Sequence, residues 1–287
     1  MTAWTRPAAL PSAPMLTLTG LYLYPIKSLG GIPLTEAVVE PRGLRHDRRW
    51  LLVDGQNRFL TQRTDATLAL LAVALGPDAL HVRHRARPEL GELRVPLTEP
   101  ATVPINVVIW DDIVPARPVS AEADAWFSAA LNRPTRLVYM PDSTHRPVDP
   151  GRAPADAIVS FADAYPYLVV GQAALDHLNT RLTAAGETAV PMDRFRPTLV
   201  FVGGKPHAED EWEDFQVGAV AFRGVKPCAR CVVTTINQQT AEAGKEPLRT
   251  LSTYRRDGAK VLFGQNVVPR GIGVVRVGDV VLIGKAE

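Results

Sequence analysis

The stretch Leu16-Thr-Leu-Thr-Gly-Leu-Tyr-Leu-Tyr24 opens the patterned part of the chain and decides its fold class. Apolar residues alternate here with polar or small ones, and a period of two is the pattern of a strand that buries one face. Residues 1–15 are rich in Ala, Pro and Thr and predict a loose lead-in. The patterned sequence therefore begins with a half-buried β-strand.

Similar short segments recur along the whole chain, and turn signals such as Asp54-Gly55 separate them. Most gaps in the first 115 residues are too short for connecting helices, which favours an antiparallel β-domain. Predicted strands lie at 37–40, 50–53, 80–84, 93–95, 105–110, 137–140, 167–170, 198–202, 217–222, 232–235 and 280–283. Predicted helices are confined to 120–131, with Ser120 as its N-cap, 172–182 and 247–256. We therefore predict a mainly β protein with some helix, divided into β-rich domains at 16–134 and 135–287.

Composition excludes several classes of protein. The 287 residues are 46% apolar and 22% charged, which is typical of a globular protein rather than a disordered one. Lys and Arg total 32 against 30 Asp and Glu, so the net charge of +2 gives no support for a nucleic-acid binder. The longest apolar run, 68–75, is far shorter than the roughly 18 residues that span a bilayer. We expect a cytoplasmic protein with neither a membrane nor a nucleic-acid partner.

The most informative stretch for chemistry is Lys226-Pro-Cys-Ala-Arg-Cys-Val-Val-Thr-Thr235, which holds the two cysteines of the chain. Two cysteines exclude a disulfide framework and favour a reducing compartment. Cys231 opens a strand-like run beside Arg230, and a neighbouring cation favours the thiolate form of a cysteine. Four interpretations stay open: a redox pair, half of a zinc site completed by His81 and His84, two inert buried cysteines, or one thiolate that binds a soft metal.

Scattered cations follow predicted strands or precede them. Lys27 and Ser28 stand before Gly30-Gly31, where backbone N–H groups can approach an anion. Each cation alone is most simply a solvated surface charge, and the set becomes a site only if the fold brings its segments together. The polar residues Asp163 and Asn266 stand beside turn signals, and the further cations are Arg45, Arg48, Arg49, Arg194 and Arg196.

Taken in order, seven segments of this chain resemble one family. They are Tyr24-Pro-Ile-Lys-Ser28, Asp47-Arg-Arg-Trp50, Arg194-Phe-Arg-Pro197, Cys228-Ala-Arg-Cys231-Val-Val-Thr-Thr, Glu246-Pro-Leu-Arg-Thr-Leu, Phe263-Gly-Gln-Asn266 and Gly273-Val-Val-Arg-Val-Gly-Asp-Val-Val. From about Leu16 onward the chain resembles MOSC-domain proteins that carry an N-terminal MOSC β-barrel domain, such as the mitochondrial amidoxime-reducing component and its bacterial relatives. The fold that this implies is an N-terminal β-barrel-like domain followed by a MOSC β-barrel domain with a few helices.

The resemblance implies a molybdenum cofactor (Mo-molybdopterin), with Cys231 as the catalytic residue and the protein ligand of the metal. Cys228 matches a position that is less essential in the family. Ala164, Ala229 and Asn266 stand where relatives often carry a hydroxyl, which weakens the transfer of those three contacts. The implied cofactor-binding residues are Lys27, Ser28, Arg48, Asp163, Ala164, Tyr165, Arg194, Arg196, Ala229, Arg230 and Asn266.

The activity that the resemblance implies is reduction of small N-hydroxylated compounds, namely amidoximes, hydroxylamines and N-hydroxylated bases, to an amine or amidine plus water. No cysteine follows Cys231, so we expect the electrons to come from a separate reductase or iron–sulfur protein. No residue identifies itself as the proton donor. The alternatives are a cofactor carrier without turnover, a sulfur carrier that uses Cys231, and a structural module.

Overall fold

The computed structural model describes residues 15–149 and 151–284, and strands dominate both ranges. The prediction of a mainly β protein with a few helices is confirmed. The strands are β1 (Thr17–Leu23), β2 (Ile32–Leu34), β3 (Glu36–Glu40), β4 (Gly43–Leu44), β5 (Trp50–Val53), β6 (Leu71–Leu75), β7 (Ala79–His84), β8 (Leu93–Pro96), β9 (Ile105–Ile109), β10 (Asp112–Pro118), β11 (Arg136–Tyr139), β12 (Tyr167–Gly171), β13 (Leu199–Val202), β14 (Asp214–Val217), β15 (Val220–Ala229), β16 (Arg256–Asp257), β17 (Lys260–Pro269), β18 (Gly273–Arg276) and β19 (Val281–Ile283).

Three α-helices lie within the described ranges: α1 (Ala121–Leu131), α2 (Gln172–Ala184) and α3 (Leu248–Ser252). The predicted N-cap of α1 is confirmed, because the Ser120 hydroxyl accepts a hydrogen bond from the backbone N–H of Ala123 at 3.1 Å. The Leu face predicted for α2 is buried. None of these helices is long and apolar enough to cross a bilayer.

The largest sheet has the strand order β19-β14-β15-β17-β12-β13-β1-β2, with β16 paired to β17. Its β12 and β13 are parallel, and α2 makes the crossover between them. Smaller sheets have the orders β5-β11-β10-β9, β18-β3-β4 and β6-β7-β8. The single strand predicted at 217–222 is interrupted: Gly218, with φ of +57°, turns the chain, so Val217 ends β14 and 220–222 begin β15.

The opening strand β1 lies inside the largest sheet, between β13 and β2. Leu18, Leu21 and Leu23 are buried, and the buried face changes parity because the register with β13 shifts between Leu18 and Gly20. Strand β11, which belongs to the second half, pairs in turn with β5 and β10 of the first half. The domain division at 134/135 stays a prediction. Strand pairing between the two halves brings the loop after β1 against loops of the second half.

Candidate functional site

A cavity of about 320 Å³ lies between loops of the two halves, and we call it the basic cavity. Among the described residues, six cations and one carboxylate, that of Asp163, line it. Eleven of the twelve residues proposed from sequence line its wall, namely Lys27, Ser28, Arg48, Asp163, Ala164, Tyr165, Arg196, Ala229, Arg230, Cys231 and Asn266. Arg194 does not: its Nη1 donates to the carbonyl of Thr234 at 3.4 Å and braces the turn after Cys231.

Three wall residues have left-handed backbones. The φ angles are +68° at Ser28, +48° at Arg48 and +52° at Arg196. Each such conformation costs a non-glycine residue about 1–2 kcal/mol, and strain of this kind concentrates at functional sites. The surrounding packing therefore holds these three residues in place against a local conformational cost.

The Asp163 carboxylate ties two wall cations together. It pairs with the buried Lys27 ammonium and with Nη2 of Arg63 at 3.0 Å, and Trp110 Nε1 donates to it at 3.4 Å. Burial alone raises the pKa of Asp163, but Lys27 and Arg63 outweigh burial and hold that pKa below its ordinary value. Burial lowers the pKa of Lys27, and the attraction of Asp163 opposes this only in part.

The segment that carries Asp163 is fixed from behind by Arg146, which is 4% exposed. Its guanidinium donates to the carbonyls of Ser160 at 2.9 Å, Ala162 at 2.5 Å and Asp163 at 3.3 Å. Its Nε pairs with Asp112 at 2.7 Å. One buried cation therefore sets the backbone of this part of the wall.

Arg48 and Arg196 meet in another part of the cavity wall. Arg48 pairs with the fully buried Asp47 at 2.6 Å, and its Nη2 donates to the Arg196 carbonyl at 3.5 Å. Burial lowers the pKa of Arg196 to about 10, so its guanidinium is still a cation at neutral pH. Both side chains thus present positive charge to the same space.

A buried amide pair joins the two halves beside these cations. Gln62 Nε2 donates to Gln238 Oε1 at 3.1 Å, and Gln238 Nε2 donates back to Gln62 Oε1 at 3.0 Å. Gln62 also donates to the carbonyl of Ser28 at 2.6 Å, and Arg196 Nη1 donates to Gln238 Oε1 at 3.4 Å. The pair therefore links the Lys27–Ser28 loop to Arg196.

Both cysteines have free thiols. The strand predicted at 232–235 is wrong: Val232–Thr235 is a 3-10 helix, so Cys231 stands between the end of β15 and this turn. Arg230 also differs from the expectation, because its Nη1 donates to Cys228 Sγ at 3.1 Å rather than to Cys231. Nη2 of Arg230 donates to the Phe195 carbonyl at 2.6 Å, which fixes the guanidinium in the wall.

This geometry gives little support to two interpretations of the cysteines, the redox pair and the zinc site. Neither cysteine begins an α-helix, the position that activates a thiolate in a Cys-x-x-Cys redox pair. His81 pairs with Glu92, and His84 accepts from the Ala86 N–H, both within the β6-β7-β8 region. Across residues 15–149 and 151–284, no group of three or more His, Cys, Asp or Glu side chains could hold a metal ion.

Two family models match the chain. One, described as the MOSC N-terminal beta barrel domain, covers residues 15–134, and the other, described as the MOSC domain, covers residues 156–282. The chain belongs to the MOSC family. The resemblance inferred from its seven segments is thereby confirmed.

Several curated proteins resemble this MOSC protein along most of its length. Mitochondrial amidoxime-reducing component 1 of Homo sapiens is 31% identical over 93% of this chain and 82% of its own. Mitochondrial amidoxime reducing component 2 of Homo sapiens is 32% identical over 92% and 82%. Molybdenum cofactor sulfurase of Solanum lycopersicum is 29% identical over 86% of this chain, which corresponds to 32% of the sulfurase.

Sequence reasoning missed several polar residues in or behind the cavity wall of this MOSC protein. Gln62 and Arg63 lie in a loop with no glycine motif or turn signature, and the partner Gln238 is 176 positions away. Arg146 also escaped notice, because an arginine before a proline looks like a surface charge until its carbonyl partners are known. Lys226 belongs to the quoted cysteine stretch, and its Nζ lies 5.0 Å from the centroid of the Tyr165 ring.

Proposed function

We propose that this chain binds Mo-molybdopterin in the basic cavity and reduces N-hydroxylated compounds there, with the Cys231 thiolate as the protein ligand of the metal. One observation supports this most strongly: among the described residues, six cationic side chains, two free thiols and one carboxylate line a single cavity. The two human relatives are named amidoxime-reducing components, which supports the same chemistry.

The residues present fit such a group. Its phosphate needs cations and N–H donors, which Lys27, Arg48 and Arg196 supply, and a soft thiolate suits molybdenum. The Arg230 Nε atom is buried without a hydrogen-bond partner in the described residues, as expected of a wall that a ligand completes. The volume of about 320 Å³ lies in the range of small-molecule sites.

The protein's own part in the reaction is to bind, orient and exclude water. Lys27, Arg48 and Arg196 would hold the phosphate. Asn266 would contact the group through its amide, and Ala164 and Ala229 through their backbones. When bound, the molybdenum supplies a two-electron centre that can accept the oxygen of an N–O bond. The balanced reaction is R–NHOH + 2e⁻ + 2H⁺ → R–NH₂ + H₂O.

The proposed reaction also requires an electron-donor protein, and it is assigned to one cellular compartment. The two electrons come from a separate electron-donor protein, a reductase or an iron–sulfur protein, and the protein acts in the cytoplasm. The cations at the cavity would favour encounter with an acidic donor. No side chain in the described wall is assigned as the proton donor.

The test is turnover of a simple hydroxylamine or amidoxime with reduced viologen as artificial donor, in the parent, Cys231→Ser and Cys228→Ser. We expect activity in the parent, none in Cys231→Ser, and most of it in Cys228→Ser. Bound cofactor without turnover in the parent would contradict the reductase and leave a cofactor carrier. A sulfane-sulfur signal that is lost in Cys231→Ser, without any bound metal, would instead indicate a sulfur carrier.

A further inference from the structure

Tyr24 lies immediately after β1 and packs against two cations of the basic cavity. Its side chain is 2% exposed, and the guanidinium carbons of Arg48 and Arg196 each lie 4.3 Å from the centroid of its ring. The two guanidinium groups are therefore at most 8.6 Å apart. A cation near an aromatic face is attracted by the quadrupole of the ring, so one ring attracts both.

The two arginines have few other restraints. Arg48 has the Asp47 carboxylate and the Arg196 carbonyl, whereas Arg196 has the Gln238 side-chain oxygen at 3.4 Å. A guanidinium carries five N–H donors, so these contacts leave several donors on each group for a ligand. Like charges repel, and without the ring either side chain could turn away from the shared space.

The packing around the ring couples it to the neighbouring loop. A Cβ atom on Gly31 would lie 2.4 Å from Cε1 of Tyr24, so only glycine lets the backbone approach the ring this closely. The same short loop carries Lys27 and Ser28 into the wall. The ring thus contacts Arg48, Arg196 and the loop that carries Lys27 and Ser28.

We infer that Tyr24 is a positioning residue, whose ring holds Arg48 and Arg196 together so that both can bind one oxyanion in the cavity. Only the identity of that oxyanion, the phosphate of the cofactor, rests on the proposed function. The ring carries the role rather than the hydroxyl, because the Tyr24 hydroxyl is buried without a hydrogen-bond partner in the described part of the chain. Tyr24 belongs to the first of the seven segments that carry the family resemblance, but it is not among the cofactor-binding residues which that resemblance implies.

The test measures binding of inorganic phosphate to the full-length chain, purified from a host that makes no molybdenum cofactor, by titration calorimetry. Tyr24→Phe keeps the ring and should bind phosphate within twofold of the parent. Tyr24→Met removes the ring but fills the space, and should bind at least tenfold more weakly. Tyr139→Leu is the matched control, because Tyr139 is a buried ring that packs on Arg49 outside the cavity at 4.9 Å. It should lose stability but keep phosphate affinity.

A second series keeps the shape of the side chain, so that folding cannot obscure the result. Phenylalanines with progressively more ring fluorines at position 24 weaken the quadrupole without removing the ring. The phosphate Kd should rise steadily along the series. A flat series, or a folded Tyr24→Met variant with parental affinity, would overturn the inference, and a Tyr24→Phe variant without affinity would assign the role to the hydroxyl instead.

The outcomes separate this inference from the proposed function. If phosphate affinity depends on the ring but the chain never takes up molybdenum, the positioning role stands and the cofactor proposal fails. If all variants load molybdenum equally and bind phosphate equally, the cofactor proposal stands and the positioning role fails.

Discussion

Glu209 provides a quantitative test of the structure through the pH dependence of stability. Its side chain is completely buried in the 3-10 helix Ala208–Glu211, where Oε1 accepts the Gly171 N–H at 3.1 Å and Oε2 has no partner in the described residues. Burial raises its pKa from 4.5 to about 7, and the hydrogen bond from Gly171 opposes this shift only in part. The folded state therefore favours the protonated carboxyl.

The direction and the size of the change in unfolding free energy with pH follow from this raised pKa. A carboxyl whose pKa is higher in the folded state contributes its full stability below about pH 4.5, and this is lost as the pH rises through about 7. The difference of pKa corresponds to about 3 kcal/mol in the free energy of unfolding. Glu209→Gln keeps an oxygen for Gly171 but cannot ionise. Relative to the parent, it should gain about 2.5 kcal/mol between pH 5 and pH 8, because part of the contribution is already lost at pH 5.

The assay is urea unfolding of parent and variant at pH 5, 6.5 and 8, because the difference between the two cancels groups that titrate in both. Glu211→Gln is the matched control: this neighbouring side chain is 71% exposed and pairs with Lys205 on the surface. Its difference from the parent should stay within about 0.5 kcal/mol at every pH. A Glu209→Gln difference that does not change with pH would refute the reasoning.

Three further experiments, with four substitutions, test the site and the strand beside it. Gly264→Ala, at φ of +77°, places a methyl group 2.8 Å from a backbone carbonyl of β12 and should cost about 2 kcal/mol or more in urea unfolding, whereas an unchanged midpoint would contradict this geometry. Asp163→Asn leaves Lys27 buried beside a neutral amide and should cost about 1–2 kcal/mol, less than a fully buried pair because Asp163 is half exposed; equal stability would show that the pair contributes nothing. Gln62→Ala and Gln238→Ala should be non-additive by about 1 kcal/mol in a double-mutant cycle, and additive costs would mean that the amides act independently.

The local sequence pattern predicted many of the strands and helices because alternation and capping depend on residues that are close in the chain. The alternation after Leu16 gave a strand, and Ser120 capped α1 as expected. The run 232–235 misled because β-branched residues favour strands, yet the Thr234 and Thr235 hydroxyls donate to carbonyls three residues back and stabilise a turn. Strand β10 was not predicted from the sequence because it contains two prolines, which argue against a strand.

The residues of the candidate site also fall into those that a local motif indicated and those that it did not. Residues with a recognisable motif, such as Lys27 and Cys231, could be proposed from sequence, and the structure brings them into one cavity. Arg63, Gln238 and Tyr24 depend on contacts between segments far apart in the chain, and no local pattern reports those. The partner of Arg230 was also wrong, because which sulfur a guanidinium contacts depends on how the chain turns after β15.

The most direct test of the cofactor proposal is the molybdenum content of the protein from a cofactor-competent host, measured beside Cys231→Ala and Cys228→Ala. The account predicts nearly one molybdenum per chain in the parent and in Cys228→Ala, with Cys231→Ala empty or altered in its metal spectrum. Absence of molybdenum from the parent, in a host whose cofactor supply has been verified, would contradict it.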